Sequence, residues 1–444
     1  MTVARTICLG FMAVIAVGTI LLMMPFSTSN GTWNDLIVAL FTSTSAVCVT
    51  GLSVVDPGTY FSFWGELFIL LLAQIGGLGY MTTTTFLILL VGRKFDLRHK
   101  MAIQQALDRP GMSGSTQVIR SIIATTLIFE ITGTFLLLPA FVPKYGWSQG
   151  LWLAIFHSVN AWNNAGFSLF KDNLIGYQSS FLVVFTITGL IIFGGIGYQV
   201  ILEMYIWLRD RLNNKTQKLL LSLDFKVATI TTIILLLLGT IVFWAIEIRN
   251  PQTFGNLSVI DQLLVAWFQS VTPRTAGFNT IDIGKMTNAG LFITIALMFI
   301  GASPGGTGGG IKTTTLRVLT SCTKTSLQGK EEVLLYERKI ATSLILKAVG
   351  VLVGSITTVI VSTILISITD PKLDFIQILF EVVSAFATVG LSTGITANVT
   401  IAAKLILIIT MYVGRVGVLL LMSALLGDPR PSRIHYPEEN LLVG

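Results

Sequence analysis

The sequence predicts an all-α integral membrane protein made of four similar units around a central pore. Each unit would contain two membrane-spanning helices with a shorter pore helix and a re-entrant loop between them, which makes eight spans and four re-entrant loops. Three observations predict this fold: an apolar composition, a segment that occurs four times, and a one-sided distribution of basic residues.

The chain is far more apolar than a soluble protein. Its 444 residues are 53% hydrophobic and 11% charged, and its mean hydropathy is +0.79, whereas soluble domains carry about 25% charged residues. Several uncharged runs reach about 20 residues, the length that crosses a bilayer. This excludes a soluble protein with large buried helices. The scattered cysteines and histidines predict neither a disulfide framework nor a zinc site: Cys8, Cys48, Cys322, His99, His157 and His435.

Four segments of the sequence resemble one another. They are FTSTSAVCVTGLS (41–53), FHSVNAWNNAGFS (156–168), FQSVTPRTAGFNT (268–280) and FEVVSAFATVGLS (380–392). Each opens with phenylalanine and carries a glycine near its end. These glycines are separated by 115, 111 and 113 residues: Gly51, Gly166, Gly277 and Gly390. A spacing so regular indicates four copies of one structural unit.

Each glycine is preceded by a short apolar stretch of about 10–14 residues, too short to cross a bilayer. Full-length apolar runs flank each stretch. We interpret the first run as a retained spanning helix because it is too long for a signal peptide and no A-x-A site follows it. The flanking runs are 7–26 and 62–92, 121–142 and 180–208, 226–246 and a run from 288, and 340–368 and 401–426. The predicted units are residues 1–100, 101–215, 216–330 and 331–426, followed by a cytoplasmic tail at 427–444.

A second glycine motif recurs in the closing run of each unit. It reads GGLGY (76–80), GGIGY (194–198), GASPGGTGGG (301–310) and GRVG (414–417), and it begins 25, 28, 24 and 24 residues after the first glycine. The third copy is expanded and is followed by Ile311-Lys312-Thr313, which invites comparison with a phosphate-binding loop. Such a loop requires glycine directly before the lysine, and this position is Ile311. An ATP-hydrolysing enzyme is therefore excluded.

Basic residues predict the orientation of the chain. The loops between units carry 17 lysines and arginines, while the opposite loops carry 6. Because cytoplasmic loops are enriched in these residues, the loops between units and both termini are predicted to be cytoplasmic in the cell (inner) membrane. The basic residues do not form one patch, so we expect no nucleic-acid partner. They either set topology alone or also contact lipid and a cytoplasmic partner.

The four re-entrant loops predict a cation path. Non-helical backbone is tolerated at membrane depth only when it is buried in protein or lines a water-filled path. Each short helix would point the negative end of its dipole toward the centre, and glycine would allow carbonyl oxygens to turn toward a potassium ion and replace its water. The predicted filter residues are Val49, Thr50, Gly51, Asn164, Ala165, Gly166, Thr275, Ala276, Gly277, Thr388, Val389 and Gly390.

The loop tips TGL, AGF, AGF and VGL, together with the four repeats, resemble the Trk/Ktr/HKT potassium transporters, most closely the bacterial Ktr membrane subunit. The resemblance implies potassium uptake without a covalent cofactor, a homodimer with one pore per subunit, and a cytoplasmic ring of nucleotide-binding, RCK-type gating subunits. Members with serine at the first filter position tend toward sodium; Gly51 therefore implies potassium. Sodium dependence stays open, as does a sodium- or proton-coupled transporter with alternating access.

The expanded glycine motif predicts a gate beneath the filter. Residues 301–310 contain six glycines and one proline, which cost about 1 and 3 kcal/mol each within a helix, so the span must break there. The family has such a loop, and it also has an arginine in the pore at the position of Arg415. The predicted gate residues are Gly305, Gly306, Thr307, Gly308, Gly309, Gly310, Lys312 and Arg415, with Ser303 as a further tether.

Several polar residues near the filter leave two interpretations open. Arg415 is either an electrostatic barrier in the pore or one member of a buried ion pair with Glu381 or Glu130, since an isolated charge is costly in a membrane. Asn163 and Asn164 either brace the filter or are ordinary turn residues. Arg274 is expected to point away from the filter toward a carboxylate. The candidate partners of Arg274 are Asp261 and Asp282.

Overall fold

The computed structural model describes residues 3–79, 115–213 and 221–427. Several predicted features lie outside these residues: the end of the run at 62–92, the basic residues Arg93, Lys94, Arg98, Lys100, Arg109, Lys215 and Lys218, and the tail beyond residue 427.

The first two units contain eight described helices. In the first unit these are α1 (Val3–Met23), α2 (Leu36–Val47), a single turn α3 (Pro57–Tyr60) and α4 (Phe63–Leu78). In the second they are α5 (Ser115–Tyr145), α6 (Trp147–Asn163), α7 (Phe181–Ile196) and α8 (Tyr198–Leu212). Short 3-10 turns lie at Pro25–Ser27 and Ile175–Tyr177.

The last two units repeat this order. The third contains α9 (Leu223–Glu247), α10 (Val259–Val271), a 3-10 turn at Ile283–Lys285, α11 (Asn288–Phe299) and α12 (Thr313–Leu327). A small antiparallel hairpin, β1 (Leu334–Leu335) and β2 (Arg338–Lys339), follows, with Leu334 opposite Lys339. The fourth unit contains α13 (Thr342–Thr369), α14 (Phe375–Phe386), α15 (Ile401–Val416) and α16 (Val418–Leu426).

The opening helices of the units are the longest, and the half-span and closing helices are distinguished by their position in each unit. Among the described residues, four helices are long and apolar enough to cross a membrane by themselves, and they open the four units: Ala4–Met23, Ile119–Tyr145, Leu223–Glu247 and Thr342–Thr369. We call α2, α6, α10 and α14 the half-span helices; they contain 12, 17, 13 and 12 residues. The closing helices are α4, α7, α11 and α15. Each begins at a serine or threonine whose side-chain oxygen accepts a backbone N–H of the first turn, a standard N-cap: Ser62, Ser180, Thr287 and Thr400.

The closing runs are not the continuous spans that the sequence analysis expected. Helices α7 and α8 meet at an angle of 103°, and α15 and α16 meet at 94°. The breaks fall at Gly197 and Gly417, with φ of 96° and 89°, values that no residue of a right-handed helix adopts. The second glycine motif therefore ends a helix in these units. With each bent pair counted as one span, the described residues contain up to six spans.

The helices close into a ring. In the first, second and fourth units, the long helix and the closing helix both pack against the half-span helix, and in the third unit α9 packs against both α10 and α11. Each closing helix also packs against the half-span helix of the next unit: α4 on α6, α7 on α10, α11 on α14, and α15 back on α2. Four equivalent contacts that return to the start place the half-span helices around one common centre.

Three units also share one contact between the long helix and the half-span helix. A buried serine donates to a main-chain carbonyl one turn before a glycine, and the missing side chain of that glycine lets the two helices approach closely. The serines are Ser43, Ser158 and Ser270, which bond the carbonyl oxygens of Ile15, Glu130 and Leu236 over 2.8, 2.7 and 2.7 Å; the glycines are Gly18, Gly133 and Gly239. In the fourth unit the serine position holds Val382.

Candidate functional site

The four repeated glycines meet at the centre of the ring. A Cβ atom on Gly166 would lie 3.0 Å from Cα of Gly277, one on Gly277 would lie 3.3 Å from Cα of Gly390, and one on Gly390 would lie 3.1 Å from Cα of Gly51. A Cβ on Gly51 would in turn lie 2.9 Å from Cα of Gly166. The glycines therefore touch in the order of the units and the circle closes.

Carbonyl oxygens fill the spaces between these glycines. The residue before each glycine places its carbonyl oxygen against the glycine of a neighbouring unit, so a side chain at any of the four would strike main-chain atoms. The oxygens are those of Ala165 against Gly51, Ala276 against Gly166, Val389 against Gly277, and Thr50 against Gly390. Only glycine fits a backbone approach this close.

All four loops adopt the same unusual backbone. The glycine has a positive φ in every unit, and so does the residue two positions before it: Val49 (57°), Asn164 (57°), Thr275 (70°) and Thr388 (51°). The residue between them does not. Side chains rarely adopt a positive φ, and Val and Thr least readily because they are β-branched. Four repetitions of this strained pattern indicate a conformation that serves a function.

Main-chain hydrogen bonds hold these loops to the ends of the half-span helices. In three units the amide before the glycine donates to a carbonyl five residues back: Thr50 to Ser45 (2.7 Å), Ala165 to Asn160 (2.8 Å) and Val389 to Ser384 (2.8 Å). The third unit differs, with Ala276 donating to Thr272 over 3.0 Å. The segment from Phe268 to Gly277 is one residue shorter than the matching segments of the other units. For this reason its hydrogen bond spans four residues instead of five.

A cavity of about 540 Å³ opens on one side of the glycine ring. The four glycines form its floor, and its wall carries three aspartates and one lysine: Asp56, Asp172, Asp282 and Lys171. An excess of carboxylates in a concave mouth attracts cations. We call this cavity the mouth.

The expanded glycine motif lies on the opposite side of the ring as a loop between α11 and α12. Its ends are joined by a parallel bridge between Ile300 and Ile311 and by a hydrogen bond from the Gly301 amide to the Ile311 carbonyl over 2.8 Å. Its centre reaches the second unit, where the amides of Ser303 and Thr307 donate to the carbonyls of Gly195 and Gly194 over 3.0 and 3.1 Å. We call residues 301–312 the glycine-rich loop.

The glycine-rich loop contacts the underside of the ring directly. The Gly309 amide donates to the Thr388 hydroxyl over 3.1 Å, and a Cβ on Gly308 would strike the Thr275 hydroxyl. The Thr307 hydroxyl donates to the carbonyl oxygen of Trp162, at the end of a half-span helix, over 3.2 Å. The loop thus lies beneath the threonines that precede two of the four glycines.

Arg415 binds the glycine-rich loop and does not form the ion pair that the sequence left open. Its guanidinium donates to the carbonyl oxygens of Thr307 and Gly76. Glu381 instead accepts hydrogen bonds from Ser392, Thr393 and Thr396, and neither Glu381 nor Glu130 forms a salt bridge among the described residues. Arg415 therefore joins the first unit, the glycine-rich loop and the fourth unit.

Two further polar side chains tether the glycine-rich loop, as the sequence predicts. Lys312 donates from Nζ to the Gly308 carbonyl over 2.8 Å. The Ser303 and Thr313 hydroxyls lie 2.8 Å apart. The first contact links the centre of the loop to its end, the second joins its beginning to α12, and Arg415 links its centre to two other units.

The expectation for Arg274 was wrong. Its Nη2 donates to the Gly301 carbonyl over 3.2 Å, and the side chain is buried. Asp261 bonds Ser258, and Asp282 pairs with Lys285 over 3.3 Å. The Gly301 carbonyl oxygen is available to Arg274 because the break in the helix leaves it without a helical partner, while Nε and Nη1 have no hydrogen-bond partner among the described residues.

Asn163 and Asn164 differ in the hydrogen bonds that their side chains form. Asn163 braces the second unit: its Nδ2 donates to Gln74 Oε1 (2.6 Å), to Glu130 Oε1 (3.2 Å) and to the Val159 carbonyl. This network with Gln74 and Glu130 escaped the sequence analysis because its members are far apart in the chain. Among the described residues, the Asn164 side chain has no hydrogen-bond partner, and Asn164 is a turn residue with positive φ.

The arrangement favours cation coordination by the main chain. The described residues contain no group of three or more His, Cys, Asp or Glu side chains that could hold a metal ion, whereas carbonyl oxygens from all four units surround the ring. The carboxyl ends of four half-span helices converge there, and such ends carry partial negative charge. Carbonyls in a closed ring can replace the water around an alkali cation.

Known proteins with similar sequences are described as cation transport or potassium uptake proteins. A family model described as TrkH, cation transport protein, matches residues 6–426. Ktr system potassium uptake protein B of Bacillus subtilis is 38% identical over 444 residues, covering 100% of this chain and 97% of that protein. Potassium/sodium uptake protein NtpJ of Enterococcus hirae is 36% identical over 445 residues, covering 99% of this chain and 97% of that protein.

A solved structure supports the fold. The potassium transporter TrkH from Vibrio parahaemolyticus matches with a TM-score of 0.70 at 18% identity, covering 95% of this chain and 85% of that chain. The relatives are named as uptake proteins, which confirms that the chain is a multi-pass membrane transporter and not an enzyme. Since the family model covers nearly all of the chain and the relatives match it along their whole length, this chain belongs to the TrkH family of cation transport proteins.

Proposed function

We propose that this protein takes up potassium across the cell membrane through the ring of four glycine loops. The observation that carries the proposal is the convergence of Gly51, Gly166, Gly277 and Gly390 at the ends of four helices, with carbonyl oxygens between them. The names of the relatives, which denote potassium uptake, support the same ion. The filter would consist of the loop residues Val49–Gly51, Asn164–Gly166, Thr275–Gly277 and Thr388–Gly390.

The glycine-rich loop would act as the gate of this path. Gly305–Gly310 lie on the side of the ring that faces away from the mouth, and separate main-chain and side-chain hydrogen bonds hold them there in place of a regular helix. Hydrogen bonds from Arg415 and Lys312 and a bond to Thr388 can be broken singly, which suits a segment that must move. Helix α12 follows directly and would transmit force from the cytoplasmic side.

The complete chain would contain eight spans in four units, residues 1–100, 101–215, 216–330 and 331–426. The closed ring of helix contacts supports four units, with each bent or interrupted closing helix counted as one span. The excess of basic residues in the loops between units supports a cytoplasmic location for both termini.

Partners are proposed on chemical grounds and from the resemblance. Exposed basic residues follow the glycine-rich loop in α12 and the hairpin, among them Lys324, Arg338 and Lys339, and they would contact anionic lipid or an RCK-type, nucleotide-binding ring. A homodimer would carry one pore in each subunit. The name of the Enterococcus relative, which includes sodium, makes sodium dependence part of the proposal.

Purified full-length protein in liposomes provides the test. Uptake of potassium would be measured with a potassium gradient alone, while sodium and pH are equal on both sides. A pore predicts flux that follows the potassium gradient and its electrical potential. Flux that appears only with a sodium or proton gradient would favour coupled transport with alternating access, and a protein that carries no potassium under any gradient would overturn the proposal.

A further inference from the structure

One position in the half-span helices carries a buried polar side chain in every unit. It directly follows the repeated phenylalanine and holds Thr42, His157, Gln269 and Glu381, none of which is more than 2% exposed. Two residues after each ring glycine comes a second polar position, which lines the mouth: Ser53, Ser168, Asn279 and Ser392. The repeat thus places one polar residue behind the ring and one at its rim, four times.

In the second and fourth units these two positions bond to each other. His157 Nδ1 lies 2.7 Å from the Leu153 carbonyl oxygen, which only accepts, so Nδ1 carries the proton and Nε2 is the acceptor. The Ser168 hydroxyl, 3.0 Å from Nε2, therefore donates to it. In the fourth unit the Ser392 hydroxyl donates to Glu381 Oε1.

Each of these two contacts also orders the loop beyond the glycine. Ser168 Oγ accepts from the Phe170 amide over 3.1 Å. Glu381 accepts from the Thr393 amide over 3.2 Å and from the Thr396 hydroxyl over 3.1 Å. The half-span helix thereby holds the rim of the mouth through a buried hydrogen-bonded network, and such networks are stiff because no water competes for their bonds.

The first and third units lack this link. Ser53 donates to the Val55 carbonyl, and Asn279 Nδ2 donates to the Ile281 carbonyl over 2.8 Å, so both bond within their own loop. Within the described part of the chain, the Thr42 hydroxyl has no hydrogen-bond partner, and the hydrogen bond of Gln269 Nε2 goes to the sulfur of Met286, at 3.7 Å.

The linked units lie opposite each other. Gly166 and Gly390 are separated on both sides of the ring by Gly51 and Gly277. The backbone has an approximately four-fold arrangement, but the side-chain links reduce it to two-fold. On two opposite sides of the mouth the rim residue bonds to its half-span helix, and on the other two sides it bonds within its own loop.

We propose that His157 and Glu381 are positioning residues that hold opposite sides of the ring at the spacing that favours potassium over sodium, an inference that rests on the proposed role of the ring as a filter. A carbonyl ring discriminates between alkali ions by its size and by the number of oxygens it offers. A ring whose rim is held at two opposite points resists contraction around a smaller ion. Loss of either link lets that side of the ring change its spacing, which weakens the discrimination between potassium and sodium.

The experiment measures the sodium-to-potassium permeability ratio, from reversal potentials, for the full-length protein in liposomes. Ser168→Ala and Ser392→Ala each remove one link without enlarging a side chain, and we expect each to raise the ratio about three- to tenfold, the effect of one buried hydrogen bond. Ser53→Ala removes only a bond within its own loop and is the matched control; its ratio should stay within about twofold of the wild type.

Substitutions of Glu381 distinguish a positioning role in the ring from a role in the stability of the fold alone. Glu381→Gln keeps an acceptor oxygen for Ser392 and should retain the wild-type ratio. Glu381→Leu should raise the ratio at least as much as Ser392→Ala, because it also removes the bonds from Thr393 and Thr396. Adding Ser392→Ala to Glu381→Leu should not raise the ratio further, because Glu381→Leu already removes the bond between these two residues. If the residues only stabilised the fold, the yield and thermal stability would fall while the permeability ratio stayed constant, which would overturn the inference.

The result also distinguishes this inference from the proposed function. If the wild type conducts potassium and both serine variants keep its permeability ratio within about twofold, the positioning role is wrong and the filter stands. If the wild type conducts no potassium, the filter itself is wrong and the inference fails with it.

Discussion

The glycine ring and the glycine-rich loop use the same residue for opposite purposes. In the ring, glycines with positive φ lie against carbonyl oxygens of neighbouring units, and main-chain bonds to the half-span helices hold each loop. In the glycine-rich loop, the glycines prevent a regular helix. The loop is held by main-chain bonds to the second unit and by the side chains of Arg415, Lys312 and Thr388. Backbone packs against backbone around the whole ring, whereas separate hydrogen bonds hold the loop at a few points, and we therefore expect the ring to select ions and the loop to move.

The largest effect is expected from deletion of residues 305–309. We expect potassium flux without any partner protein to rise about tenfold or more, because the tethers removed each contribute about 1 kcal/mol to a closed state. Flux into liposomes is the measurement. The sodium-to-potassium ratio should remain that of the wild type, because the ring is left in place. Wild-type flux in a folded deletion variant would show that the loop is not a gate.

Substitution in the ring should change selectivity instead of the amount of flux. Gly51→Ser places a side chain against the carbonyl of Ala165 at a position with φ of 89°. We expect the sodium-to-potassium ratio to rise about tenfold, as measured from reversal potentials. Gly394→Ser is the control, since Gly394 has φ of 93° but no atom within 4 Å of its Cβ direction. Equal effects of both would attribute the change to backbone strain and not to crowding in the ring.

Loss of Arg415 should release part of the glycine-rich loop. Arg415→Ala removes two hydrogen bonds, to Thr307 and Gly76, and a positive charge from the region beneath the ring. We expect flux to increase about fivefold with unchanged selectivity. Because no carboxylate among the described residues pairs with Arg415, the variant should fold, which membrane extraction and thermal melting would check. A variant that fails to assemble would contradict this arrangement.

The smallest effect is expected at Lys312. Lys312→Met keeps the length of the side chain but loses the bond to the Gly308 carbonyl, and we expect flux to rise about two- to threefold. Lys324→Met, an exposed residue of the same helix α12, provides the control for the loss of charge. If the two substitutions act alike, the effect belongs to the general charge of the cytoplasmic side and not to the tether.

Local patterns in the sequence were sufficient for much of the fold. Apolar runs, half-length stretches and the spacing of Gly51, Gly166, Gly277 and Gly390 predicted the long helices, the half-span helices and the break after Phe299, because length, hydropathy and glycine content act within a few residues. The same patterns did not reveal that glycine bends the closing helices of the second and fourth units. The bend at Gly197 depends on the glycine-rich loop, whose Gly305 carbonyl accepts the Tyr198 amide over 3.3 Å, and this contact joins distant parts of the chain.

The sequence by itself determined that this protein is a membrane protein and which glycines recur at a regular spacing. Only the tertiary structure decided which groups the units present to each other. Arg415 and Arg274 both bind main-chain carbonyls, where the sequence had suggested carboxylates. The physical reason is that every residue carries a carbonyl oxygen, and the sequence does not mark those that a break in a helix leaves unpaired. For the same reason the links His157–Ser168 and Glu381–Ser392 became visible only when the half-span helices and the mouth lay side by side.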